Sequence, residues 1–496
     1  MNLEFRIKNW NWLYWTIPVF LFFAQWIFTA NSMSQIRYEE LAESVRNPFW
    51  LQNHTIYDGV SSNVGWYGTL LVIYKILGFT LNTAKIYRLV LSLISLFSLA
   101  ALLKKFLGEK YAWIPLVTIG LSPTLLYFNT LQTSYGLDLQ YFPITLYLLS
   151  TIDFKKLWNS LFKQSLVFTI AMIAWMSYPT FVFYLPILGL VYLYQIKTQK
   201  VYRNFLLLAG GILVSFISFA APVVLAFLYV KDKNLLFYDP KVQSGIFRGA
   251  GTLYLNWGNF WQNFSGTLGD LFNSAGSYYF EVSVVDFSHL LPLLAVFFVV
   301  ILGIVLTFHQ KKARFPLILI WLVFITSLIL ANLTFDPSGK PGIRRSTSLL
   351  ASVYALFTVC WYYTAKWKTE NSSLKVFVVA LLLIIPFHHL LAIPFNLGNL
   401  TVSSPYRYSL LFDAADTPAK SLDLFIDAAR KQDLKLGCKD KDGKEATCRY
   451  VEGYAAVAGS CLWNNLNCRP ILGYDDKKQE FIPLKVDLWE TYYWNH

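Results

Sequence analysis

Apolar stretches of close to twenty residues recur along almost the whole chain, separated by short turns rich in Lys and Arg. A membrane-spanning helix needs roughly 20 such residues. The pattern predicts spans at 12–30, 83–103, 111–128, 139–152, 163–179, 180–196, 205–230, 288–308, 315–333, 346–365 and 375–394, eleven in all. Every second connection is short and basic: KKFLGEK, DFKKLWNSLFK, QIKTQKVYR, HQKKAR and KWKTENSSLK. The intervening segments, chiefly 31–82, 129–138, 231–287, 334–345 and 395–496, are longer and mixed in charge. Cytoplasmic loops carry the excess of Lys and Arg in membrane proteins, so the basic turns are expected inside. Arg6 and Lys8 place the N-terminus on the same side, and an odd number of crossings places the C-terminus outside. The first run is too long for a cleaved signal and no small-residue cleavage site follows it.

Composition agrees with this layout. Of 496 residues, 55% are hydrophobic and 14% charged, with a mean hydropathy of +0.44. A soluble chain this apolar would expose large adhesive patches. The net charge of +13 follows from the inside turns and calls for no nucleic-acid partner. The fold class expected is a mainly α polytopic membrane protein with surface helices on its outer face. Trp66–Phe79, apolar but interrupted by Lys75, reads as one of these. The aromatics of the outer segments suit an interfacial belt, or platforms on which sugar rings stack.

The composition changes after Asn396. Residues 1–395 form the expected membrane domain, and 396–496 a small outer α/β domain. The stretch TPAKSLDLFIDAARKQD has an N-terminal Thr-Pro signal and an apolar stripe, so a helix is expected there. The stretch CKDKDGKEATC reads as a hairpin about Asp442-Gly443, with strands expected near Arg469–Leu472 and Phe481–Val486. Four of five cysteines lie in this tail, and four allow three pairings. The hairpin would set Cys438 opposite Cys448, leaving Cys461 with Cys468. Disulfides suit an outer, oxidising compartment. A zinc site is the rival, but no C-x-x-C and no nearby His except His496 supports it. Cys360 reads as an inert core residue.

Polar groups gather at the outer ends of the helices, and the span centres carry almost no charge. This disfavours an ion-coupled transporter, which buries ionisable groups at mid-depth. Three places stand out. The first is the loop after the opening span, NSMSQIRYEELAESVRNPFWLQNHTIYDG, with Glu39, Glu40, Glu43, His54 and Asp58. Its carboxylates fit either a solvated acidic face or a general base. The second is Asp138, which fits either a cap for the fourth span or a second site carboxylate. The third is FDPSGKPGIRRSTS, whose Lys340, Arg344 and Arg345 precede a helix. Salt bridges account for this cluster, and so does a phosphate, which guanidinium groups and helix N-terminal amides both suit. His388-His389 reads as interfacial, and Asp440-x-Asp442 as turn chemistry.

This layout resembles the integral-membrane glycosyltransferases of the GT-C fold, among them bacterial relatives of protein O-mannosyltransferases and aminoarabinose transferases. That family has an acidic pair after the first span, surface helices, and a helix hairpin matched here by IYRLVLSLISLFSLAALLKKFLGEKYAWIPLVTIGLSPTLLYFN. An acidic residue then opens the fourth span, an Arg-bearing turn precedes a late span, and a small outer domain often follows. The resemblance implies that Glu39 and Glu40 stand at the acidic pair, with Glu-Glu for the usual Asp-Glu. It implies that Asp138 is the second acidic position, and that Arg344 and Arg345, with Lys340 beside them, bind the lipid phosphate. His54 and Asp58 have no counterpart there, but they share the loop and are candidates to line the same cavity.

The activity implied is transfer of a sugar from a polyprenyl-phosphate donor to a lipid, glycan or protein acceptor, at the periplasmic face of a bacterial inner membrane. Membrane lipids are the other expected partners. No cofactor is called for; a divalent metal is compatible with the residues but not indicated by them. A lipid-linked glycan polymerase or ligase, a non-catalytic relative and a lipid or sugar transporter remain the alternatives.

Overall fold

The computed structural model describes residues 13–30, 44, 48, 51, 63–78, 81–107, 113–131, 136–229, 261, 264, 290–311, 313–333, 347–367, 372–400, 436–439, 445–449, 472–475 and 480–483. Its helices are α1 Leu13–Ala30, α2 Val64–Leu77, α3 Leu81–Leu107, α4 Ile114–Thr118, α5 Pro123–Thr130, α6 Asp138–Ser150 and α7 Leu157–Ser177. A 3₁₀ turn, Pro179–Tyr184, leads into α8 Leu185–Thr198. Then come α9 Phe205–Tyr229, α10 Leu290–His309, α11 Arg314–Leu333, α12 Ser348–Lys366 and α13 Ser372–Leu400. Helical residues occur at each expected span, with 111–128 divided in two, and α2 covers most of the stretch read as a surface helix. Among the described residues, six helical stretches are long and apolar enough to cross a membrane: Thr83–Lys105, Leu157–Ser177, Thr180–Thr198, Leu206–Tyr229, Ser348–Lys366 and Ser372–His389. The chain is a multi-pass α-helical membrane protein.

The stretch expected as one span over 111–128 is two short helices, α4 and α5. Ser122 caps α5, its side chain accepting from the Leu125 N–H at 3.2 Å, and Pro123 takes the first helical position. A Ser-Pro pair starts a helix rather than continuing one.

Hydrocarbon offers no water to a stranded backbone group, so carbonyls freed by proline need a partner from another helix. Pro143 in α6 has no N–H for the carbonyl of Leu139, and Ser95 of α3 donates to that oxygen at 2.8 Å. Pro222 in α9 likewise frees the Ser218 carbonyl, which takes a hydrogen bond from Thr169 of α7 at 3.1 Å. Each proline is thereby turned into an interhelical tie. The basic turns also close helix ends. Lys105 donates to the Ser150 carbonyl at 2.7 Å, Lys163 to the Thr151 carbonyl at 2.9 Å, and Arg314 to the Phe308 carbonyl at 3.1 Å. Cations at helix C-termini complement the unpaired carbonyls there.

Two apolar cores result. One is built from α1, α3, α4, α5, α10, α12 and α13, around Phe22, Trp26, Leu125, Val299 and Leu356. The other joins α2, α6, α7, α8 and α11, around Trp66, Tyr67, Phe181 and Tyr184. Large apolar side chains also face outward, as on α9, where Leu206 is 81% and Phe216 70% exposed. On a water-facing surface this would be a liability; against lipid it is the expected face.

The tail contributes β1 Leu436–Lys439, β2 Glu445–Arg449, β3 Leu472–Asp475 and β4 Glu480–Pro483, an antiparallel sheet in the order β1-β2-β3-β4. The hairpin about Asp442-Gly443 therefore forms, and the later strands fall close to the expected places. Its register corrects the cysteine pairing. Cys438 lies opposite Ala446, and Cys448 opposite Leu436. The two cysteines are diagonal neighbours, about 7–8 Å apart in such a ladder, farther than the Cα separation of about 4.4–6.8 Å that a disulfide usually spans. Among the described residues no disulfide is found and Cys360 is a buried free thiol. Cys461, Cys468 and the helix expected at 417–433 lie outside the described residues.

Candidate active site

Charged and polar side chains collect inside the bundle at the end opposite the basic turns. Asp138, the first residue of α6, is fully buried. It does not cap its own helix. Its Oδ1 accepts from the Thr347 hydroxyl at 2.9 Å, and its Oδ2 from the Ser348 N–H at 3.0 Å and the Ser348 hydroxyl at 2.7 Å. It therefore caps α12, where the first N–H groups have no partner within the helix and a negative charge is favoured. Gly136 makes the entry into α6 possible. Its φ is +73°, and a Cβ there would lie 3.0 Å from Phe128 Cβ, so only glycine fits without strain.

Arg88, on the first turns of α3, is the positive counterpart and is also fully buried. Its guanidinium donates to the carbonyls of Phe128 at 2.9 Å and Asn129 at 3.4 Å, near the C-terminal end of α5. It also lies over the Trp66 ring, 5.2 Å from the centroid, a cation–π contact that gains strength in a dry setting. One turn earlier Lys85 is 4% exposed. Asn129 ties the cluster together. Its carbonyl takes further bonds from Trp26 Nε1 at 3.2 Å and Ser92 Oγ at 3.3 Å, and its Oδ1 accepts from Gln140 Nε2 at 3.3 Å. Gln140 Nε2 also donates to Ser92 Oγ at 2.8 Å. Six helices, α1, α2, α3, α5, α6 and α12, thus converge on two buried charges of opposite sign.

The long loop after α1 has one described anchor here. The Tyr74 hydroxyl of α2 donates to the Ser44 carbonyl at 3.1 Å. Burial pushes the Tyr74 phenol above its usual range, and the Ser44 side chain offsets part of the shift. Ser44 follows Glu39 and Glu40 by five and four residues. Glu39, Glu40, His54, Asp58, Lys340, Arg344 and Arg345 themselves lie outside the described residues; Arg344 and Arg345 precede Thr347 by three and two positions.

Arg88, Lys85, Asn129 and Gln140 were not singled out by sequence reasoning. One signal was present: Lys85 and Arg88 are basic residues, three apart, at the end of α3 away from the basic turns. His389 is also not interfacial. It is buried and pairs through Nε2 with the Tyr354 hydroxyl at 2.9 Å. Among the described residues no three His, Cys, Asp or Glu side chains gather in a metal-binding set.

No protein-family model matches the sequence, and no curated protein sequence does. In fold the chain is similar to the crystal structure of ArnT from Cupriavidus metallidurans bound to undecaprenyl phosphate. The likeness covers 79% of this chain and 74% of that one, at 11% identity and a TM-score of 0.44.

Proposed function

We propose that the protein is a GT-C type glycosyltransferase that moves a sugar from a polyprenyl-phosphate donor to a lipid, glycan or protein acceptor at the outer membrane face. The observation that carries this is the Asp138–Thr347–Ser348 contact. It ties the residue expected as second site carboxylate to the start of the helix that directly follows Arg344 and Arg345, across a sequence separation of 209 residues. Buried Arg88 and Lys85 add positive charge at the same end of the bundle.

The chemistry suits such a set. A lipid phosphate is already a fair leaving group, so cations over the developing charge and a base at the acceptor hydroxyl or amine are what help most. Preorganised electrostatic donors are worth about 3–4 kcal/mol each where measured, and a positioned base about 10²–10⁴ in rate. Glu39 is the base in this scheme, Glu40 its neighbour, and Lys340, Arg344 and Arg345 the phosphate contacts. The charge of the turns supports the periplasmic orientation, and the residues beyond α13, which runs past 396 to Leu400, are read as a separate outer domain.

The test is transfer of labelled sugar from polyprenyl-phosphate donors to acceptor in proteoliposomes, beside a donor-binding measurement. Glu39→Gln is expected to abolish transfer with donor binding kept. Arg344→Ala and Arg345→Ala are expected to weaken donor binding, each by about 1.5–3 kcal/mol. Full transfer by both Glu39→Gln and Glu40→Gln would remove the base, and no transfer or donor binding by the wild type would remove the function.

A further inference from the structure

Between the Asp138 end of the bundle and its basic end, α3, α6, α8, α11 and α12 line a cavity of about 350 Å³. It is long rather than round. On α6 it is lined from Leu139 to Ser150, eleven residue steps, or about 16 Å at 1.5 Å per residue. Its walls are mostly Leu, Phe, Pro, Val and Ala, and its polar residues sit at the ends. Ser348 lines one end; Lys105, Ser150, Gln195 and Thr198 line the other, where helices α3, α6 and α8 finish. Tyr194 of α8 and Phe315 of α11 stack across that second end, ring centroids 3.9 Å apart, and both line the cavity.

Walls this apolar give a water too few partners to settle. An empty space of this size also forfeits dispersion contacts all along its lining, and a bilayer supplies hydrocarbon to fill it. The charge at the polar end is predominantly positive, with Asp153 the carboxylate nearby. Lys105, Lys197 and Arg314 are all exposed there, and the turns around them are basic. We infer that the cavity takes an acyl chain of an anionic phospholipid from the leaflet facing the basic turns, with its headgroup among Lys105, Lys197 and Arg314. Its headgroup end lies away from the donor site proposed above, although Ser348 at its far end also meets Asp138, and the inference does not depend on that activity. The leaflet is the cytoplasmic one in the orientation set by the charged turns.

The full chain, purified in mild detergent, is examined by native mass spectrometry after addition of phosphatidylglycerol, phosphatidylethanolamine or undecaprenyl phosphate. One phosphatidylglycerol is expected to stay bound through delipidation. Ala355→Phe and Val191→Phe, which fill the cavity from opposite walls, are expected to lower its retention at least about tenfold, a shift of about 1.4 kcal/mol. Lys105→Gln leaves the apolar walls intact and is expected to lower the preference for the anionic over the zwitterionic headgroup about fivefold. Unchanged retention in both filled variants would overturn the site. So would undecaprenyl phosphate being the species they lose, since the cavity would then belong to the donor. Equal retention of the two phospholipids by the wild type would overturn the headgroup assignment. Should neither filled variant fold, an acyl-chain photo-crosslinker on the wild type decides: labels on Leu146 or Val323 support the site, and labels confined to outer helix faces overturn it.

Discussion

Replacing Asp138 by alanine and by asparagine separates its structural role from its chemical one. In the native chain its carboxylate accepts from the Thr347 hydroxyl, the Ser348 N–H and the Ser348 hydroxyl. The two hydroxyls can rotate toward other acceptors, but the backbone N–H cannot. Alanine therefore leaves one buried donor without a partner, about 1–3 kcal/mol, and takes charge-assisted bonds from two hydroxyls, about 3 kcal/mol in all. Asparagine can turn its oxygen to Ser348 and its amide to the Thr347 hydroxyl. It caps nearly as well as aspartate, so its cost is about 1 kcal/mol. Cys360, a buried free thiol in the helix that Asp138 caps, reports the opening of α12. When reclosing is fast, its alkylation rate in detergent follows the open population. Mapped by peptide mass spectrometry, Cys360 labelling is expected to rise on the order of 100-fold in Asp138→Ala and about fivefold in Asp138→Asn. Asparagine as damaging as alanine would refute the capping account. Transfer lost in Asp138→Asn while α12 stays closed would assign the carboxylate a chemical role as well.

Further outcomes test the ties between helices and the orientation. Thr169→Val is expected to cost about 1 kcal/mol in the wild type and close to nothing in a Pro222→Ala background, where the Ser218 carbonyl regains its helical partner; a double-mutant cycle on detergent unfolding measures the difference. Gly65→Ala would set a Cβ 2.4 Å from the Ile173 carbonyl oxygen and 2.8 Å from the Ser177 nitrogen, so it is expected to destabilise by about 1–3 kcal/mol. Gly68→Ala, with nothing within 4 Å of its Cβ, is the control and should be neutral or stabilising. A reporter fused after His496 is expected to be active only in the periplasm and one at Lys311 only in the cytoplasm; a cytoplasmic His496 reporter would overturn the orientation.

The helix positions were legible because hydropathy acts through length alone. A run such as Phe205–Tyr229 has one stable form in lipid whatever its neighbours are. The break between α4 and α5 was written just as locally, in Ser122-Pro123, but an unbroken apolar count hides it. The cysteine register was not legible. An Asp-Gly turn marks where the chain reverses, but a shift of two residues in the pairing decides whether Cys438 meets Cys448 or Ala446. The ties of Ser95 to Leu139 and of Thr169 to Ser218 were half legible: each proline announces a carbonyl without a partner, but only packing says which helix answers.

The charges followed a different logic. Asp138 was visible as a carboxylate at a helix start, which fits either a cap for that helix or a site carboxylate. It serves α12 instead. A buried charge is tolerable only where partial charges of opposite sign are fixed around it, and a helix end is the densest such source that a bundle owns. Asp138 takes the amino end of α12, and Arg88 the carboxyl end of α5. Each charge is thus met by the partial charges of a helix end of opposite sign. Both charges sit at the end of the bundle away from the basic turns, and the helix that Asp138 caps begins directly after the loop that carries Arg344 and Arg345. In that low-dielectric setting small displacements of either charge cost most.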